Sequence, residues 1–213
     1  PTVQGVLVNT GQSCIAPTRI LVHKDREAEA AGFVKAMFEG TQVGDPLTEG
    51  MHIGPVVNKA QYEKIQGLIQ SAIDEGATLE TGGTYQDLFF EPTVLSGVDK
   101  TNPAFREEIF APVAVVVPFD SDEDAAALAN DTEYGLSMAI ISSNVGRALK
   151  LGEQLHTGIL HINDQTVNDE VVNPFGGVGA SGNGSSIGGP ANIEEFTQWQ
   201  WLTIKGEAPA YPL

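Results

Sequence analysis

The first residue in this chain whose type could carry chemistry is a lone cysteine. Cys14 closes the segment Gly11-Gln12-Ser13-Cys14. The spacing places it just past a short helix, Val3, Val6 and Leu7 repeating at i, i+3, i+4, with Gly11 as C-cap, and before a strand at Arg19 to His23. At such a junction free backbone N–H groups can face a substrate oxygen, and a thiolate is a strong nucleophile. Taken alone, a cysteine is more often a small buried hydrophobe. The four histidines, His23, His52, His156 and His161, have no metal-ligand spacing, so no metal site is expected. A histidine beside Cys14 would instead make a cysteine hydrolase. The run Gly177 to Gly182 spells G-x-G-x-x-G, but a turn (Asn173-Pro174-Phe175-Gly176) precedes it and Asn183 to Gly189 cannot start a stable helix. A dinucleotide fingerprint needs a buried strand before it and a helix after it.

The elements that must position these residues alternate between two periods. RILVH at 19–23, 78–81, 92–98, 113–119, 136–141 and 158–162 read as strands. Helical spacing covers 25–39 (Ala30, Phe33, Val34 and Met37 on one face), 59–75 (Tyr62, Ile65, Leu68, Ile69, Ala72), 121–130, where Ser121 and Asp124 resemble a capping box, and 145–155. Strands alternating with helices predict an α/β domain with a mostly parallel open sheet flanked by helices. From Asn173 to Gly189 a glycine-rich stretch predicts a long functional loop. Phe196 to Ile204 reads as a closing strand with Trp199 and Trp201 on one face, in want of a partner sheet.

Composition narrows the classes. Eleven Lys and Arg against 28 Asp and Glu give a net charge of −17, which repels nucleic acid and anionic lipid. No apolar run approaches the roughly 20 residues of a spanning helix, and the N-terminus lacks a signal-peptide layout. A soluble cytoplasmic protein is expected, without nucleic-acid or membrane partners.

Four segments in order go further: GQSC at 11–14, EEIFAPV at 107–113, GILHIN at 158–163 and NPFGGVGASG at 173–182. Together with VGDP at 43–46, IGPVVN at 53–58 and EPTVL at 91–95, they resemble the aldehyde dehydrogenase superfamily over nearly the whole chain. The resemblance implies that Cys14 attacks an aldehyde, that Glu108 bonds the nicotinamide ribose of NAD or NADP, and that Phe110 packs beside the nicotinamide. It implies too that Ser13, Asn163 and Phe175 line the substrate end. Residues 1–196 would form the catalytic domain, and 197–213 an oligomerisation strand and tail that makes a homodimer or homotetramer.

Ala111 where the family usually has glycine, no lysine near Gly179, and Gly184-Ser185-Ser186-Ile187 in place of a charged segment point to a branch. GILHINDQTVNDE, PFGGVGASG and ANIEEF resemble its benzaldehyde and aromatic aldehyde dehydrogenases. Between Gly158 and Ile204 there is no Lys or Arg to pair a substrate carboxylate, which favours an uncharged aldehyde. The family's Rossmann cofactor domain, activating glutamate and oxyanion asparagine have no match here. The expectation is therefore a catalytic portion incomplete for turnover alone, the alternative being a non-catalytic fragment or assembly module that only oligomerises.

Overall fold

A run of β-branched residues makes the longest strand: Val113–Phe119, whose first five residues are all buried. Side chains stiff at χ1 suit a pleated surface covered on both faces. The computed structural model describes residues 2–212, so Pro1 and Leu213 lie outside the described residues. In chain order the strands are β1 (Arg19–His23), β2 (Thr78–Thr81), β3 (Tyr85–Gln86), β4 (Phe89–Phe90), β5 (Thr93–Ser96), β6 (Val113–Phe119), β7 (Tyr134–Gly135), β8 (Ser137–Ile140), β9 (Ile159–Ile162) and β10 (Val178–Gly179). The helices are α1 (Glu27–Glu39), α2 (Lys59–Asp74), α3 (Pro103–Arg106), α4 (Asp122–Asn130), α5 (Val145–Gly152) and α6 (Ala191–Phe196).

The main sheet has the order β1-β6-β5-β2, parallel across β1–β6 and β6–β5 and antiparallel across β5–β2. A second parallel pair, β8–β9, is joined through α5. The α/β, mostly parallel architecture is the one the alternating periods predict.

Alternation along β6 sorts the core into two layers. Val113, Val115 and Val117 meet Ile65, Ile69 and Ala72 of α2, with Phe90 and Phe105. Ala114 and Val116 meet Ala31, Val34 and Phe38 of α1. The buried face of α1 thus lies around Ala31 and Phe38, and Phe33, expected inside, is 64% exposed. Both stripes have helical spacing, and contact with the sheet selects one.

Three other expectations change. The segment before Cys14 is two 3-10 turns, Thr2–Val6 and Val8–Gly11, because Asn9 and Thr10 take left-handed φ of 51° and 58°. At α4 the Ser121 Oγ accepts from Asp124 N (3.2 Å), but Asp124 Oδ2 accepts from Asp120 N (2.9 Å), so the capping box closes one residue early. The closing strand expected at Phe196 to Ile204 does not form: Phe196 ends α6, and residues 197–212 take no regular secondary structure. A strand needs a ladder partner for its N–H and C=O groups, and the described chain offers this tail none. Among the described residues no helix is long and apolar enough to cross a membrane.

Candidate active site

The cysteine loop is a sharp reversal held from outside. Asn9, Thr10 and Gly11 are three successive left-handed residues, Gly11 at φ 72°. A non-glycine residue there costs of order 1–3 kcal/mol, so tertiary contacts must hold the conformation. Thr10, buried, donates from Oγ1 to Gly54 O (3.3 Å), and Gln12 Oε1 accepts from Val57 N (2.8 Å). Gly11 packs against the backbone of Ala111: a Cβ on Gly11 would sit 2.0 Å from the Ala111 oxygen. Beyond the reversal, Thr166 Oγ1 donates to Ile15 O (2.6 Å), and Ala16 N closes a turn onto Ser13 O (3.1 Å). Ser13 is half-buried and Cys14, in that turn, is exposed.

Glu108 and Phe110 belong to the strip that Gly11 touches. Phe110 is half-buried and left-handed at φ 57°. Gln61 of α2 holds it there, Nε2 donating to both Ile109 O and Phe110 O at 2.9 Å. Asn58, the cap of α2, fixes Gln61 in turn by accepting its backbone N–H (2.9 Å). Lys64 Nζ donates to Glu108 O (2.6 Å), while the Glu108 side chain is exposed and, among the described residues, makes no hydrogen bond. Burial pushes the Tyr134 hydroxyl above its ordinary pKa, helped by the charges of Glu133, Glu108 and Glu107. The acidic strip thus faces β7.

Asn163 ends β9 at φ 61°. Its N–H donates to Ile140 O and its Oδ1 accepts from Ser142 N, 2.9 and 2.8 Å, so the side chain staples the β8 end. Phe175 is half-buried and bridges Ile187 across the glycine-rich loop. That loop packs backbone on backbone: a Cβ on Gly158 would fall 1.8 Å from Gly176 O.

The residues flanking Ser13-Cys14 therefore make the direct contacts: Gly11 with Ala111 at the end of the Glu108–Ala111 strip, and Ile15 with Thr166 in the loop after Asn163. Phe175 sits in the glycine loop and, among the described residues, makes no hydrogen bond to the cysteine segment. Thr166, Gln61 and Gln12 build the site and were not singled out from sequence. Gln12 lies within GQSC itself, and its partner Val57 lies within IGPVVN, so adjacency to the motifs was the available signal. Among the described residues Cys14 has no hydrogen bond to a histidine: His23 Nδ1 accepts from Asp25 N and His52 Nδ1 from Gln42 N. No group of three His, Cys, Asp or Glu among them could hold a metal. Among the described residues, a surface hollow lined by Asp124 and Asp131 and another lined by Tyr134 and His156 include none of Cys14, Glu108 or Phe110.

Comparison with known proteins agrees with this frame. The model of the family described as "Aldehyde dehydrogenase family" matches residues 1–202. The chain is 46% identical to vanillin dehydrogenase of an Amycolatopsis strain and 42% identical to benzaldehyde dehydrogenase [NAD(+)] of Pseudomonas putida. Each match covers 98% of this chain and 43% of the relative, so the chain spans less than half of either. An aldehyde dehydrogenase of Mycobacterium tuberculosis solved with NAD+ superposes with a TM-score of 0.88 at 35% identity, over 92% of this chain and 41% of that one.

Proposed function

The chain belongs to the aldehyde dehydrogenase family, and from that we propose that it is the cysteine-bearing catalytic part of an NAD(P)-dependent enzyme oxidising an uncharged, aromatic aldehyde to its carboxylic acid. The observation that carries the reading is the exposed Cys14 thiol on a backbone reversal clamped directly onto the Glu108–Ala111 strip. An aromatic substrate is supported by the identities to the vanillin and benzaldehyde dehydrogenases and by the lack of Lys or Arg from Gly158 to Ile204.

In this reading the Cys14 thiolate adds to the aldehyde carbon, forming the S–C bond of a thiohemiacetal whose oxygen faces backbone N–H groups of the turn. The residues present fit a nicotinamide cofactor: the Glu108 carboxylate is uncommitted and can accept ribose hydroxyls, and the half-open Phe110 ring offers a face to the nicotinamide. When bound, the cofactor supplies the hydride acceptor. The thioester left on Cys14 is then cleaved by water, releasing acid and thiol. Gln61 and Lys64 act one layer behind, keeping Phe110 in its left-handed turn and the Glu108 backbone in place.

Residues 1–196 act as the catalytic domain. The tail, with Phe196, Trp199, Trp201 and Ile204 exposed, serves assembly into a homodimer or homotetramer in the cytoplasm. The test is an NADH-absorbance assay of the full-length enzyme with benzaldehyde and NAD. Turnover abolished in Cys14→Ala supports the reading, and turnover retained in that variant overturns it.

A further inference from the structure

The β8–β9 pair has two different faces. Leu160 and Ile140 turn to α5, their side-chain tips 2.7 and 3.8 Å from where a Cβ on Gly152 would sit. Ser137 pairs with Ile159 and Ala139 with His161, so by strand alternation these four share the opposite face. That face leads to the cysteine loop: Ser137 Oγ donates to Thr166 O (3.3 Å), and Thr166 Oγ1 donates to Ile15 O (2.6 Å), the residue after Cys14.

On this face His161 Nε2 is buried with no hydrogen-bond partner, alone in that respect among the side-chain atoms of the described residues. The nearby acid does not serve it. Asp164 is held below the usual carboxylate range first by the side chain of Asn168 and then by the Gln165 N–H, with His161 a lesser influence. A buried ring nitrogen without a partner is costly to keep, and such groups persist where a ligand completes them.

We propose that His161 is a specificity-determining residue of the aldehyde site, its Nε2 hydrogen-bonding a ring hydroxyl of a hydroxylated aromatic aldehyde. The proposal rests on the aromatic-aldehyde reading above. A neutral imidazole nitrogen can serve a phenol either as acceptor from its O–H or as donor to its oxygen. With no Lys or Arg between Gly158 and Ile204, this stretch suits a neutral hydroxyl better than a carboxylate.

The test compares kcat/KM for 4-hydroxybenzaldehyde and benzaldehyde in the full-length enzyme, its His161→Phe variant and its His161→Gln variant. The parent enzyme should favour the hydroxylated aldehyde by about tenfold, because a site built around a hydrogen bond rejects the analogue lacking it. Phe at 161 should bring the ratio to about one, and Gln, whose amide can occupy the place of Nε2, should restore part of it. Thermal unfolding of the Phe variant should be unchanged or raised, since it removes an unsatisfied polar atom. A ratio that is the same in parent and Phe variant overturns the proposal while leaving aromatic oxidation intact. Equal losses on both aldehydes with a lowered Tm also overturn it, in favour of a structural role. A parent enzyme that oxidises neither aldehyde overturns the functional reading, and this proposal with it.

Discussion

The cysteine loop and the C-terminal tail both present reactive or sticky side chains to solvent, yet they are exposed for opposite reasons. Cys14 is exposed on a backbone that is held from both sides: three left-handed residues, the Gly11 approach to Ala111, and bonds from Val57 and Thr166 to its neighbours Gln12 and Ile15. Trp199, fully exposed, and Trp201, 94% exposed, lie in a segment with no regular secondary structure. Exposure with many long-range contacts marks a built site, and exposure with none marks a surface that a second chain can bury.

The most severe way to test that contrast is Cys14→Ala in the full-length enzyme. Turnover should fall by about 10³-fold or more while circular dichroism and Tm stay at parental values, because an exposed thiol carries chemistry and little packing. Gly11→Ala attacks the constraint itself. Its Cβ would strike the Ala111 carbonyl at a φ that L-residues avoid, so denaturant unfolding should show a loss of about 3 kcal/mol, with activity falling alongside. On the tail, Trp199→Asp with Trp201→Asp should leave subunit Tm nearly unchanged and shift sedimentation towards the monomer, raising the dimer Kd by about 100-fold. Dimers that persist in this double variant would show that assembly uses another surface.

Gln61→Leu should cost about 1–2 kcal/mol by stranding two carbonyls, and should raise KM for NAD more than for aldehyde, since it frees Phe110. Acid should act most weakly on either region. Paired hydrogen bonds from Arg106, both 2.8 Å, hold the Asp131 carboxyl below its ordinary pKa. A depressed folded pKa gives stability that is present above the unfolded carboxylate range and lost as pH falls through the folded value. A small drop in Tm should therefore appear only below the ordinary Asp range, and Arg106→Gln should remove it.

Much of the fold was legible in the residues. β1 and β6 follow RILVH and VAVVVPF to the residue, and α2 buries Ile65, Ile69 and Ala72 as its period predicts. The buried face of α1 was legible only in part: of the expected Ala30, Phe33, Val34 and Met37, Val34 is buried and Met37 packs against the core, while the sheet takes Ala31 and Phe38 in place of Phe33 through contacts distant in sequence. The 3-10 reversal before Cys14 was hidden for a similar reason. Asn9 and Thr10 have no local cause to go left-handed; the bonds that hold the loop there come from residues about 45 and 150 positions away.

By itself the sequence determined the main strands and helices, through their apolar periods, and marked Cys14, Glu108 and Phe110 as candidates, through the ordered motifs around them. Only the tertiary structure decided how they meet: that Gly11 lies on Ala111, that Gln61 and Lys64 hold the carbonyls of 108–110, and that Thr166 joins the β8–β9 face carrying His161 to the cysteine loop. The physical reason is that periodicity and propensity act over a few residues, whereas close backbone approach and buried hydrogen bonding are satisfied between segments whose meeting no local pattern records.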